Sequence, residues 1–426
     1  GSAGLIDLDL NQQQKVLGAQ SEAYTRPDAG EFILMANPKQ GQTLEEVRDL
    51  LLAEVAKLRN GEFDEAVMEG TINNLKLSQM MQLEDNSSRA DMFVQSFING
   101  TDWADEVAWI DNLSKVTKQD VIDWANKYLG ENSYAVVYKR MGEDKNVQKV
   151  SAPKITPIKA NRDAQSAFLA EIQASEVEPI EPVFVDYEKD MKKFQANGLE
   201  VLYAENTVND IASLTYRFNT GTEKDPALNL AFTYLSYLGT PEMSAEEIAQ
   251  RMYQIACSFS LRAGSSVTNI SLSGLNENLP EAMKIVEDLA YNAVPDENIL
   301  AALKADMLKS RADAKLNQSS CFNALQRYVF YGPEFIQKIN LSDDELLALT
   351  SEELLGKVRE LLGCQHEVLY YGPDNTAEVT ELLAAGHKTA AELKPLEPFN
   401  SKFVETPESK VYLVQYDAKQ IYYLQY

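Results

Sequence analysis

The sequence predicts an α+β fold: tandem repeats of one module, each a mostly antiparallel sheet with helices packed on one face. Three observations predict it. Four consecutive segments of the first half return in the second at nearly constant spacing: Leu44 and Leu279 stand 235 residues apart, Gly100 and Gly332 stand 232 apart, and Gly130 and Gly363 stand 233 apart. Each copy closes on a run rich in β-branched and aromatic residues, "SYAVVYK" and "HEVLYYG", the composition that strands favour. Between these runs lie segments with helix-cap chemistry and apolar residues at helical spacing.

In chain order, "GEFILMAN" (30–37) reads as a strand bounded by turn residues. Residues 43–58, "TLEEVRDLLLAEVAKL", read as a helix. Thr43 and Glu46 have capping-box spacing, Leu44, Val47, Leu51 and Val55 recur on one side, and Gly61 ends it. Its counterpart is "NLPEAMKIVEDLA" (278–290). "FDEAVMEGTINNLKLS" (63–78) then matches "PDENILAALKADMLKS" (295–310), and "NSSRADMFVQSFINGT" (86–101) matches "QSSCFNALQRYVFYGP" (318–333). The last pair is 113–140 with 346–373, each a helix followed by the closing strand. The second copy also has an opening, "LEVLYAENTVNDIASLTYRFNTGT" (199–222), two alternating strands joined by a polar turn, and a further strand at 265–275.

A counterpart of that opening for the first copy would start about forty residues before Gly1, so the chain is expected to begin inside a module. The leading "GSAGLIDLDL" reads as an appended tag remnant running into folded sequence. At the other end "KVYLVQYDAKQIYYLQY" (410–426) resembles the second copy's opening, with Val411 and Ile421 each 210 residues after Val201 and Ile211. The expected organisation is therefore a truncated module (1–142), a proline- and charge-rich linker with one short helix (143–190), a full module (191–375), a connection (376–409) and the first strands of a further module (410–426).

With 39 basic and 65 acidic residues the net charge is −26. Nucleic acid and anionic membrane both need a basic footprint, so neither is an expected partner. No apolar run is long enough to span a bilayer. The three cysteines, Cys257, Cys321 and Cys364, are widely spaced and form neither a CxxC pair nor a disulfide framework. The chain reads as soluble and leaves its compartment open, with a lean toward the bacterial periplasm.

The order of strand–turn–strand, helix, Gly-Thr break and capped helix, with the phrase "YLGTPEMSAEEIAQRM" (237–252), resembles the pitrilysin/insulinase family of zinc metallopeptidases, the inverzincins. The resemblance covers nearly the whole chain and implies metallohydrolase-like modules. By it, 1–142 is most of a second module, 191–375 a third, and 410–426 the start of a fourth. It also implies a peptide or unfolded polypeptide as substrate of the whole protein, with these modules forming wall and hinge of a peptide chamber. The missing first and fourth modules are then the chain's natural neighbours.

The family's zinc helix carries H-x-x-E-H just before the Gly-Thr break, two His one turn apart holding the metal and the Glu activating water. Counting back from Gly239-Thr240, those positions are Leu230, Thr233 and Tyr234. The later helix that supplies a further Glu reads "ALKADMLKSRA" (302–312), with Asp306 its sole acid. The expectation is no catalytic, metal or cofactor site in this chain, with zinc in the absent first module. Leu230 and Tyr234 are expected to pack in the core. The competing reading is a non-enzymatic scaffold, like the respiratory cytochrome bc core subunits that this family resembles. A third is an unrelated α+β binding protein.

The remaining candidates are the two histidines. Alternation places Cys364 and His366 on one face at a strand start, half a metal site at most; the plainer reading is a buried thiol beside a half-exposed His. His387, in "AAGHKTAAEL", reads as a surface residue at a helix terminus.

Overall fold

In the computed structural model, which describes residues 3–26, 28–143, 145–146, 150–157, 161–396 and 401–425, the first copy opens on a π-helical turn (Asp7–Gln12) and an antiparallel pair, β1 (Gly18–Thr25) and β2 (Gly30–Asn37). Gly1 and Ser2 of the leading segment lie outside the described residues. Next comes α1 (Leu44–Asn60). Its capping box is formed: Glu46 N–H donates to Thr43 Oγ1 at 3.1 Å and the Glu46 carboxylate accepts Thr43 N–H at 2.7 Å, satisfying two of the orphan donors at a helix start. Gly61 ends it at φ 72°, a left-handed conformation that costs glycine little. Helices α2 (Ala66–Glu84), α3 (Asn86–Asn99), α4 (Trp103–Val107), α5 (Trp109–Leu113) and α6 (Lys118–Tyr128) complete this copy.

The expected closing strand at 133–139 is not formed. A strand needs a neighbour to take its backbone hydrogen bonds, and among the described residues of this copy the only strands are β1 and β2, which pair with each other.

Residues 135–187 form a separate unit, while 1–134 and 188–426 form the other. Among the described residues of the smaller unit the one regular element is α7 (Ala167–Ala174), whose cap Ser166 Oγ accepts Leu169 N–H at 3.1 Å.

The second copy holds β3 (Lys192–Ala196), β4 (Leu199–Glu205), β5 (Ile211–Phe218), α8 (Leu228–Leu235), α9 (Ala245–Gln254), β6 (Cys257–Ala263) and β7 (Thr268–Leu275). Helices α10 (Leu279–Asn292), α11 (Glu297–Ala314), α12 (Gln318–Ile339), α13 (Asp343–Ala348) and α14 (Ser351–Leu362) follow, then β8 (Glu367–Gly372) and α15 (Thr376–Gly386). The six strands run in the order β3-β4-β8-β5-β7-β6. All neighbours are antiparallel except β4 and β8, so the sheet is mostly antiparallel and the fold is α+β. The two strands read at 199–222 exist but are not partners, because β8 from the far end of the module inserts between them.

Register explains the core. Leu272, Leu214, Tyr370 and Tyr203 line up across the sheet, as do Ile270, Tyr216, Val368 and Val201. All eight are buried, because alternate residues of a strand share one face. Helices α8, α10 and α14 carry the matching apolar stripes, Leu230, Phe232 and Leu235, Met283 and Val286, Leu354 and Val358.

The expected strand over 410–426 is also absent among its described residues, 410–425. With no described strand beside it, this segment leans its aromatic rings on α12 instead: Tyr412 lies edge-on to Tyr328 at 6.3 Å and Tyr422 to Phe322 at 5.5 Å. Among the described residues no helix is long and apolar enough to cross a membrane.

Candidate functional site

Helix α8 lies immediately before the Gly239 break, the place of H-x-x-E-H in the family that the sequence resembles. That break is sterically demanding: a Cβ on Gly239 would stand 2.5 Å from the Met243 carbonyl oxygen. Leu230 and Tyr234, one turn apart, both face inward and are buried, whereas Thr233 faces solvent and returns its hydroxyl to the Asn229 carbonyl at 2.8 Å.

Tyr234 is a polar strut. Its hydroxyl accepts the Asp296 N–H at 2.8 Å and donates toward Ser351 Oγ (2.8 Å) and the Asp296 carbonyl (3.1 Å). Asp296 caps α11 and Ser351 opens α14, so one side chain ties the starts of two helices to α8. Burial pushes this hydroxyl's pKa up, which keeps it a donor.

These residues do not fit a zinc ion. Leu230 offers no lone pair, Thr233 points away, the Tyr234 oxygen is committed to neighbours, and Asp306 on α11 pairs with Lys39 at 3.3 Å. Zinc needs several N, S or O donors converging on one point.

The polar centre of the second copy lies elsewhere, and the sequence reading missed it. His387, expected at the surface, is 4% exposed, and His366, expected half-exposed, is 7% exposed. The reason is tertiary: the chain after α15 folds back over β5, stacking His387 on Tyr216 with ring centroids 3.9 Å apart. Cys364 is buried as expected, but its thiol turns to the Glu360 carbonyl at 3.3 Å and does not join His366.

His366 joins His387 instead. His366 Nδ1 bonds the Cys364 carbonyl at 2.7 Å, the two Nε2 atoms are 2.9 Å apart, and His387 Nδ1 meets Glu287 Oε1 at 2.5 Å. Glu287 is itself 4% exposed, and its other oxygen accepts the Lys388 N–H at 3.3 Å.

Hydrogen-bond logic assigns the protons. A carbonyl only accepts, so His366 Nδ1 carries a hydrogen. Neutral His366 then has a bare Nε2, and His387 Nε2–H donates to it. The remaining proton sits between His387 Nδ1 and Glu287, and the relay is neutral overall wherever in that bond it rests. Burial, followed by the neighbouring His387, lowers the His366 pKa to about 4 against the lift from the Cys364 bond. Burial and then the Glu287 charge push the Tyr216 hydroxyl well up.

One sequence signal pointed here. Glu287 lies four residues after Met283 and three before Ala290, both buried, on the apolar face of α10, where a carboxylate demands a partner.

The fold and site thus define an α+β chain in which the helix before the Gly239 break is packed as core. No protein-family model matches the sequence, and no curated protein matches it. Among solved structures it is similar to the peptidase M16 inactive domain from Pseudomonas fluorescens (18% identity, 49% of this chain and 54% of that one, TM-score 0.40). It is also similar to the periplasmic protease PqqL from Escherichia coli (13% identity, 94% and 48%, TM-score 0.43). A third similar structure is the ferredoxin protease FusC in complex with Arabidopsis ferredoxin (10% identity, 94% and 48%, TM-score 0.46). These three structural neighbours are named as an inactive peptidase M16 domain and two proteases. The chain spans about half the length of these solved structures.

Proposed function

We propose that this chain is the non-catalytic middle of a zinc-dependent endopeptidase of the pitrilysin/insulinase type, forming wall and hinge of its peptide chamber. The observation that carries the reading is a family-like frame with different contents. Asp85 and Asn317, 232 residues apart, and Thr117 and Thr350, 233 apart, cap matching helices in the two copies, and a Gly239-Thr240 break is present, yet the motif positions are Leu230, Thr233 and Tyr234, two of them core residues.

In this reading zinc belongs to a first module outside this chain, and the polypeptide substrate meets the assembled protein rather than the fragment. The first and fourth modules are its partners, and residues 143–190 are the link that lets two halves open and close. The compartment proposed is the bacterial periplasm, tested by fractionating cells that express the full-length protein.

The direct test is elemental analysis of the purified chain after incubation with zinc and removal of the excess, alongside a cleavage assay on unfolded polypeptide. The expected result is no stoichiometric zinc and no cleavage; one tightly held zinc per chain overturns the proposal. Sequencing the natural gene upstream separates it from the scaffold reading. H-x-x-E-H in the preceding module supports the peptidase, and a preceding module without that motif favours the scaffold.

A further inference from the structure

We propose that Glu287, His387 and His366 form a proton-sensitive clasp that fastens residues 387–394 to the second copy's sheet and lets that segment go when the relay takes up one more proton.

The geometry carries this. The segment after α15 returns to the end of α14 through a short parallel bridge, Cys364 with Lys394, in which Gln365 N–H donates to the Lys394 carbonyl at 2.8 Å and Lys394 N–H to Gly363 at 3.0 Å. Around His387, Asn197 donates its amide to the His387 carbonyl at 2.8 Å and Tyr291 its hydroxyl to the Lys388 carbonyl at 3.0 Å. Both of these bonds go to backbone oxygens and do not depend on pH. The relay does.

Three hydrogens already fill the three bonds, and the ring nitrogen left to take a fourth is the bare Nε2 of His366. Arriving there, it sets two N–H groups head to head across 2.9 Å, abolishes the bond and leaves an uncompensated positive charge in a buried site. The relay escapes by opening, which hydrates both rings.

The titratable groups facing it do not supply a compensating negative charge. Tyr216 on β5 stays protonated, its hydroxyl pushed up by burial. Glu287 on α10 is already engaged with His387 and Lys388 N–H. Tyr291, one turn further along α10, donates its hydroxyl, and Lys388 Nζ rests 5.4 Å from its ring centre. At the end of α14 the Cys364 thiol is kept protonated by burial, and Glu360 pairs with Lys394 at 3.8 Å on the exposed side.

The test is hydrogen exchange on the folded chain, corrected for intrinsic rates, with the amides of Gln365 and Lys394 as reporters. Taking an ordinary imidazole in the open state and His366 at about 4 in the closed state, protection at these amides is expected to fall about 100-fold between pH 7 and pH 4. The amides pairing β5 with β7 should keep theirs. In His366→Gln, which cannot titrate, reporter protection should be flat over the same range. If that variant does not fold, nitrogen-15 spectra of the native imidazoles decide. His366 with hydrogen on Nδ1 and a bare Nε2 down to pH 5 supports the clasp; the opposite tautomer overturns it. Unchanged reporter protection to pH 4, the same fall in His366→Gln, or simultaneous loss along β5 and β7 also overturns it.

Discussion

Replacing Tyr234 by Phe removes one oxygen from the core and nothing else. The ring keeps its shape, so no cavity term enters. What is lost is the acceptor for Asp296 N–H at 2.8 Å and the donor toward Ser351 Oγ at 2.8 Å. Ser351 is 1% exposed, so water does not readily replace the missing partner there. A net hydrogen bond contributes about 1 kcal/mol, and a buried group left without its partner costs roughly 1–3 kcal/mol. Two bonds lost together should therefore destabilise by about 2 kcal/mol. Against a urea slope of roughly 2 kcal/mol per molar, the midpoint should move down by about 1 M. The assay is equilibrium urea unfolding followed by tyrosine fluorescence and far-ultraviolet circular dichroism. A variant whose midpoint matches the parent would refute the reasoning, because it would mean that the Tyr234 hydroxyl has no structural task.

Leu230→Ala, at the other inward motif position, should cost about 3 kcal/mol by lost burial and residual cavity, measured in the same urea titration. Gly70→Ala should loosen the packing of α2 on α9, since its Cβ would lie 2.7 Å from Tyr253 Cδ1. The ring must shift, straining the Tyr253–Thr71 bond of 3.0 Å, and a loss of roughly 1–3 kcal/mol is expected by calorimetry. For acid, the sign follows from His366: its folded-state pKa of about 4 is below the ordinary 6.5, so the unfolded chain binds more protons between these values. Stability contributed by this group is therefore full above pH 6.5 and is lost as pH falls through 4, about 3 kcal/mol in all. Urea midpoints at pH 7 and pH 4 should differ by more in the parent than in His366→Gln.

Local chemistry was the legible part of the fold. The cap pair Thr43–Glu46, read from its spacing, is a closed box in the structure, as are Ser244–Glu247 and Thr350–Glu353, because a capping box lies within four residues and owes nothing to distant neighbours. The strand-like composition of 133–139 and 410–425 was equally visible, yet neither forms a strand. Composition states what a segment can pair as; pairing itself requires a second strand.

The Glu287–His387–His366 relay shows the same boundary from the functional side. Its members lie 21 and 100 positions apart, and no spacing rule links them. Cys364 and His366, which alternation did link, part company because the thiol finds a nearer carbonyl on α14.

By itself, then, the amino-acid order determined the repeated spacing, the helix starts and the residue types at positions 230, 233 and 234, since each depends on residue identity and short-range spacing. Only the tertiary structure decided that β8 wedges between β4 and β5, that Tyr234 joins α11 to α14, and that two imidazoles and a carboxylate share protons in the core. Those outcomes depend on which distant surfaces meet when apolar area is buried, a choice made by the whole chain at once.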